Sequence, residues 1–263
     1  MAVLGSGSRG NAVVVESEGN RVLIDAGFSC RQLVLRLESL GVTPESIDAV
    51  LLTHEHSDHT RGVDVFSHRY GTPVFGTEGT LDGLSMRAPG EVFRSGHAFE
   101  LCGFEVEPFA IPHDAREPVG LVLESKAGRR MGLAADLGSR TQLAWARLRD
   151  LDMLILETNH DLEMLRSGPY PWVLKQRVAG RHGHLSNTDA AEGIPELLSD
   201  RLEEIVLYHL SQTNNLPALA ASTVGEALDR SGSAAVVTVS SQGEPTRWIE
   251  VASEVQNRDL MER

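Results

Sequence analysis

Residues 47–60 read Ile-Asp-Ala-Val-Leu-Leu-Thr-His-Glu-His-Ser-Asp-His-Thr, and the fold turns on how this stretch is read. Its first part, 47–52, is a nearly continuous apolar run, as expected of a strand buried on both faces. Where that run stops, three imidazoles (His54, His56, His59) and two carboxylates (Glu55, Asp58) crowd into residues 53–59. Open α/β sheets place their sites at such strand ends. Imidazole nitrogen combined with carboxylate oxygen suits Zn, Mn or Fe. The i, i+2 spacing gathers His54 and His56, whereas Asp58 and His59 belong to the turn beyond. One ion could not comfortably take all four groups, so the spacing favours two adjacent ions.

Working outward, 12–16 and 21–25 are β-branched and apolar and are joined by Ser-Glu-Gly-Asn, the pattern of a hairpin. Ser29 reads as the cap of a helix with Leu33, Leu37 and Leu40 on one stripe, stopping at Gly41. Thr43-Pro44 is a cap followed by proline at the first helical position. A second unit repeats this order. It has a hairpin (119–124 and 130–135), a helix over about 141–149 with Leu143 and Leu148 on its apolar side, and a strand at 152–157. Leu-Ile-Asp-Ala-Gly at 23–27 answers Leu-Ala-Ala-Asp-Leu-Gly at 133–138. The offsets, 111 for Asp25 and Asp136 and 104 for Asp48 and Asp152, differ only by small indels. One hairpin–helix–strand unit used twice predicts two halves of a single α/β domain over 1–263. The remainder predicts a helix at 188–198 despite Pro195, a strand at 204–208, a helix at 216–230, and a closing hairpin of 234–240 with 246–251.

Composition bounds the function. The 263 residues carry 24 Lys+Arg against 37 Asp+Glu, a net charge of −13 that disfavours non-specific grip on nucleic acid or an anionic membrane. No apolar run approaches the roughly 18–20 residues of a membrane span. The first residues lack a basic region followed by an apolar stretch, and two cysteines make no disulfide framework, so a cytoplasmic protein is expected. Gly5-Ser-Gly-Ser-Arg-Gly10 matches a dinucleotide-binding pattern literally, but a strand follows it where that pattern needs a helix.

His54-x-His56-x-Asp58-His59 after an apolar strand resembles the signature of the metallo-β-lactamase fold hydrolases. The rest of their pattern follows in order: His113 in Ile-Pro-His-Asp, Asp136 in Ala-Asp-Leu-Gly, and His209 in Val-Leu-Tyr-His-Leu-Ser. The resemblance implies a four-layer αββα sandwich and two divalent ions, Mn2+ or Zn2+, with Fe compatible. One ion would take His54, His56 and His113, the other Asp58, His59 and His209, with Asp136 bridging. A hydroxide between the ions would be the nucleophile, oriented by Asp58, and Asp25 would support a ligand imidazole.

Arg181-His-Gly-His-Leu-Ser-Asn-Thr188 resembles the His-x-Ser/Thr segment of tRNase Z-like phosphodiesterases, which assigns protonation of the leaving oxygen to His184. Residues 4–11, 157–161 and 183–187 together resemble the YycJ/WalJ subgroup, bacterial 5′-to-3′ exonucleases acting on DNA. By that resemblance Glu157 orients His184, and Asn159 and His160 line the cleft. Ser6, Ser8, Asn11, Ser186, Asn187, Ser211 and Asn214 become candidates for phosphate or sugar contacts.

Only 73 positions separate Asp136 from His209 and 23 separate His113 from Asp136, too few for a β-CASP insertion or a tRNA-gripping arm. His68, His97 and His182 read as surface or packing residues. The leading expectation is a dinuclear phosphodiesterase cutting single-stranded DNA, or RNA, from its 5′ end. A small-molecule hydrolase (cyclic phosphodiesterase or thioesterase) and a metal-bound scaffold are the competing readings. Two divalent ions against two carboxylates leave the cleft positive. The acidic surface then predicts weak grip elsewhere and action at strand ends.

Overall fold

The structure, a computed structural model, describes residues 1–250. The first half runs β1 (Ala2–Gly5), β2 (Ala12–Ser17), β3 (Asn20–Ile24), α1 (Cys30–Ser39), β4 (Ala49–Leu51), α2 (Ser57–Thr60), α3 (Val63–Tyr70), β5 (Val74–Gly76), α4 (Glu78–Asp82) and β6 (Glu91–Val92). Its six strands form one sheet in chain order. The second half runs β7 (Phe99–Leu101), β8 (Phe104–Ala110), β9 (Val119–Ser125), β10 (Arg130–Ala134), α5 (Gln142–Arg147), β11 (Met153–Glu157), α6 (Leu162–Ser167), α7 (Trp172–Val178), α8 (Asn187–Gly193), β12 (Glu204–Tyr208), α9 (Pro217–Ser231) and β13 (Val236–Val239). These seven strands form the second sheet, also in chain order.

The apolar runs are continuous because each strand is covered twice. Along β3 and β11 successive side chains alternate faces. Ile24 and Ile155 enter the core between the sheets with Val13, Leu51, Leu133 and Val206. Leu23 packs outward with Leu33, Leu37 and Phe66 of α1 and α3. Leu154 and Leu156 pack outward on Trp145, Ala190 and Val224 of α5, α8 and α9. The result is the αββα sandwich of the metallo-β-lactamase type.

The repeat is visible in hydrogen bonds. Arg21 N–H donates to Asp48 Oδ2 at 2.7 Å, and Arg130 N–H to Asp152 Oδ2 at 2.7 Å, each tying the start of a hairpin's second strand to its parallel neighbour. β3–β4 and β10–β11 are the equivalent parallel pairs. Both second strands end on an aspartate in the left-handed region, Asp25 at φ 59° and Asp136 at φ 51°.

Asp152 is buried and also receives Arg129 Nη1 at 2.7 Å and Arg201 Nη2 at 2.6 Å. Burial pushes its carboxyl up, but Arg201, the Arg130 N–H and Arg129 outweigh that and hold it below the usual range. A folded pKa below the unfolded one gives stability that is present above the unfolded pKa and lost as pH falls through the folded value. Asp152→Asn is therefore expected to lose roughly 2 kcal/mol at neutral pH. Denaturant melts should show the gap to wild type narrowing below about pH 4; a gap that does not change with pH would refute the ion-pair account.

Four expectations need correction. The strand at 47–52 is trimmed to β4, although Leu52 N–H still reaches Phe75 O at 2.8 Å. Leu143 is exposed, because Thr141 caps α5 in a phase that turns Ala144 and Trp145 inward. The helix at 188–198 divides: α8 is capped by Ser186, and Pro195, which lacks an N–H, forces a tighter turn at Ile194–Glu196. The closing hairpin is not formed. β13 pairs parallel to β12, because α9 crosses over between them. Ser241 and Gln242 then bond to Ser6, Gly10 and Arg36, carrying the chain to the first sheet. There Thr246 N–H donates to Val3 O and Ile249 N–H to Met1 O; Val251 lies outside the described residues.

Candidate metal centre

Strand direction delivers the candidate residues to one end of the sandwich. β3, β4, β10, β11 and β12 are followed at their C-terminal ends by Asp25, His54, Asp136, Thr158 and His209, with Glu157 closing β11. β8 runs parallel to β10, being antiparallel to β9, so the loop after it brings His113 to the same end. His209, like Asp25 and Asp136, is left-handed, at φ 56°. Such backbone costs about 1 kcal/mol or more at a non-glycine residue and persists where surrounding contacts enforce it. Here Ser6 Oγ accepts from His209 N–H at 2.6 Å, and Asn159 Nδ2 donates to His209 O at 2.9 Å.

The His56–His59 turn is stitched to the first hairpin. Asn11 N–H donates to Asp58 O at 2.8 Å and Ala26 N–H to His59 O at 2.7 Å. Gly27 is needed for this approach, since a Cβ there would fall 1.7 Å from Asp58 O. Gly27→Ala is expected to destabilise by about 3 kcal/mol or more and to lose bound metal in the same thermal and metal-content measurements. Unchanged melting would mean the turn can move freely.

The imidazoles form a connected wall. His54, His56 and His113 bring one nitrogen each within 4.8 Å of one another, and so do the donor atoms of Asp58, His59 and His209. Asp136 lies between the two groups, 2.8 Å from His59 Nε2, 3.3 Å from His209 Nδ1 and 3.8 Å from His113 Nε2. Outer partners fix the rings. Asp25 Oδ2 lies 2.7 Å from His59 Nδ1, and Thr53 Oγ1 lies 2.9 Å from Asp25 Oδ2 and 3.1 Å from His54 Nδ1. Thr53 can thus donate to the carboxylate and accept from the imidazole, leaving His54 Nε2 as a lone pair. His113 Nδ1 faces Gly183 O at 3.2 Å, which turns its Nε2 inward.

These residues are suited to binding metal ions. His54 Nε2 and His209 Nε2 are buried without a hydrogen-bond partner, a costly condition unless a cation takes the lone pair. Burial, helped by the neighbouring His59, holds His54 well below its usual range, and burial lowers His113, so these two rings favour the neutral form that offers a lone pair. On the other side burial opposes charge on His59, but Asp25 and Asp136 outweigh it and hold it well above its usual value. The carboxylate field there favours added positive charge.

A second arrangement adjoins the first. Glu157 is fully buried; its Oε1 lies 2.8 Å from both His184 Nδ1 and His209 Nδ1, while Oε2 accepts from Leu137 N–H at 2.7 Å and Leu185 N–H at 3.1 Å. Burial pulls His184 down, but Glu157 and then Asp136 outweigh it, so the ring is held above its ordinary value. The loop carrying it packs closely: a Cβ on Gly183 would sit 2.2 Å from the Arg177 and Val178 carbonyls. A cleft of about 230 Å³ opens over the wall, lined by Ser8, His56, Asp58, His113, Asp136, His184 and His209.

Residues 20–209 match the family model of the beta-lactamase superfamily domain. The chain belongs to this superfamily. It is an enzyme of the superfamily's hydrolase type. Among relatives, it is 33% identical over 237 residues to the exodeoxyribonuclease YycJ of Bacillus anthracis, covering 88% of this chain and 89% of that one. It is 36% identical over 231 residues to the exodeoxyribonuclease WalJ of Streptococcus pneumoniae, covering 85% and 86%. In structure it is similar to the metallo-β-lactamase fold protein YhfI of Bacillus subtilis, with a TM-score of 0.69, 18% identity, and 93% and 98% of the chains covered.

Within this superfamily site the expected substrate contacts divide sharply. Ser8 is exposed and lines the cleft. Asn11 is buried, with Nδ2 3.1 Å from His59 Nε2 and 3.4 Å from Asp58 Oδ2. Most of the other side chains are engaged inside the protein. Ser6 and Asn159 hold the His209 backbone, Ser186 caps α8, Asn187 pairs with Asn215, and Ser211 Oγ accepts from Asn214 N–H. Asn214 is buried with its amide unpartnered. His160 is 1% exposed and lies off the cleft, its pKa lowered to about 4 chiefly by burial. His68, His97 and His182 are exposed. Sequence reading missed Thr53, whose hydroxyl links Asp25 to His54, and the cleft wall of Asp114, Tyr170, Leu174 and Arg177. Asp114 had a signal, being next to His113; α6 and α7 had none that periodicity resolves in so few turns.

Proposed function

We propose that the protein is a phosphodiesterase using two divalent ions, Mn2+ or Zn2+, to remove nucleotides from the 5′ end of single-stranded DNA. In this reading His54, His56 and His113 hold one ion, Asp58, His59 and His209 the other, and Asp136 is shared. Such ions supply Lewis-acid charge for the phosphoryl oxygens and acidify water. The observation that carries the reading is the Glu157–His184 pair beside Asp136. With Nδ1 held by Glu157, His184 keeps Nε2 toward the cleft as a proton carrier. A nucleoside alkoxide is a poor leaving group, so a positioned acid matters for phosphodiester cleavage in a way it does not for activated esters. Asp58, partly exposed at the cleft, is the carboxylate placed to orient the attacking water. The similarity to proteins named exodeoxyribonucleases supports the DNA assignment.

A cleft of about 230 Å³ is smaller than the roughly 300–1,000 Å³ of ligand pockets. It admits a scissile phosphate and its neighbours, which suits a chain end and also leaves room for the small-ester reading. The deciding experiment supplies Mn2+ or Zn2+ to the protein with a single-stranded 15-mer labelled at either end. Stepwise loss from the 5′ end is expected. Hydrolysis of cyclic nucleotides or thioesters with intact oligonucleotides would replace this reading with the small-molecule one.

A further inference from the structure

Between Glu163 and Asp189 the chain runs twenty-five residues without a carboxylate side chain and carries Arg166, Lys175, Arg177 and Arg181, in a protein of net charge −13. The middle of this segment forms one wall of the cleft, through Tyr170, Leu174, Arg177 and Val178. Two positions from Tyr170, Trp172 is 69% exposed, and Val173 is 77% exposed; no other large apolar side chains among the described residues are as open. At about 100° per residue, Trp172 projects from the side of α7 away from Leu174. It therefore stands outside the cleft. Arg181, also exposed, has no carboxylate partner among the described residues.

We infer that this surface of α7 and the loop after it receives the part of a single-stranded nucleic acid that lies beyond the cut site, with Trp172 stacking on a base and Arg181 facing a phosphate. The inference rests on the nuclease reading of the metal centre. An indole plane accepts any base, and cations beside it track the backbone, which is how sequence-tolerant single-strand sites are built. Arg166 pairs with Glu163 and Arg177 with Asp114, so Lys175 and Arg181, with no carboxylate partner among the described residues, are the cations that favour a polyanion over a second copy of this acidic chain. The segment that carries this surface also forms one wall of the cleft, through Tyr170, Leu174 and Arg177.

Trp172 is largely in water, so Trp172→Ala leaves the core intact. In the metal-loaded enzyme its KM for a single-stranded 15-mer should rise about tenfold, with kcat and hydrolysis of bis(p-nitrophenyl) phosphate unchanged. Trp172→Phe should recover most of the KM. Titration with the same oligonucleotide should quench tryptophan fluorescence in wild type, and that quench should be lost in Trp172→Phe although Trp145 and Trp248 remain. An unchanged KM together with a quench that does not depend on Trp172 would overturn the inference. So would a change of oligomeric state in Trp172→Ala with unchanged KM, which would make the face a protein interface. If wild type cuts no oligonucleotide, the nuclease reading fails, and a missing Trp172-dependent quench then overturns the stacking surface separately.

Discussion

Asp136→Asn is expected to fold, to lose one of the two divalent ions proposed for the site, and to lose about a thousandfold in kcat/KM. Asparagine matches aspartate in volume and tolerates the left-handed backbone that Asp136 adopts at φ 51°. What it removes is one negative charge, at a point 2.8 Å from His59 Nε2 and 3.2–3.3 Å from His184 Nδ1 and His209 Nδ1. Burial would push the Asp136 carboxyl up, yet His209 and His59 hold it well below its usual range, so the site is built around its ionised form. Loss of shared metal charge removes several kcal/mol of transition-state stabilisation, and each 1.36 kcal/mol is about tenfold in rate. Metal content after dialysis and steady-state hydrolysis are the measurements. Two ions retained with activity within tenfold of wild type would remove Asp136 from the shared position.

His184→Ala is expected to slow oligonucleotide cleavage by roughly 10²–10⁴-fold, the usual contribution of a positioned acid. The same variant should lose less than about tenfold on bis(p-nitrophenyl) phosphate, whose nitrophenolate departs without a proton. That difference separates proton delivery from metal binding, because damage to the metal centre would slow both substrates alike. Glu157→Gln should fall between the two. It keeps an oxygen for the ring nitrogens but removes the charge that, after the opposing effect of burial, does most to raise His184. Equal losses on both substrates in His184→Ala would assign the ring to the metal centre in place of the leaving group.

The fold was legible wherever a chemical pattern was local. The buried strand before His54, the two hairpins ending in Asp25 and Asp136, and the Ser29 cap all follow from alternation, turn residues and capping, and they appear close to the expected positions. Several elements of two to four residues were not legible. β5, β6 and β7, and the single turn of α2, are too short to show a period and exist because neighbouring strands or the wall of imidazoles hold them. The closing hairpin was misread for a related reason. Two β-branched runs with a Ser-Gln-Gly turn look alike whether they pair with each other or, as here, one joins β12 and the other returns to β1.

By itself the sequence determined the inventory: two matching halves, seven metal-type ligands in a recognisable order, and a histidine beside a helix cap. It also determined the charge contrast between an acidic chain and one carboxylate-free stretch. Only the tertiary structure decided which small polar residues face the cleft. Ser6, Ser186, Asn187 and Asn159 look like phosphate contacts in one dimension, but strand ends packed this tightly leave many backbone groups that need partners, and those side chains supply them. The same packing left Trp172 in water and brought Glu157 between two imidazoles. Both outcomes depend on the positions of residues far apart in the chain, which hydrophobic periodicity does not encode.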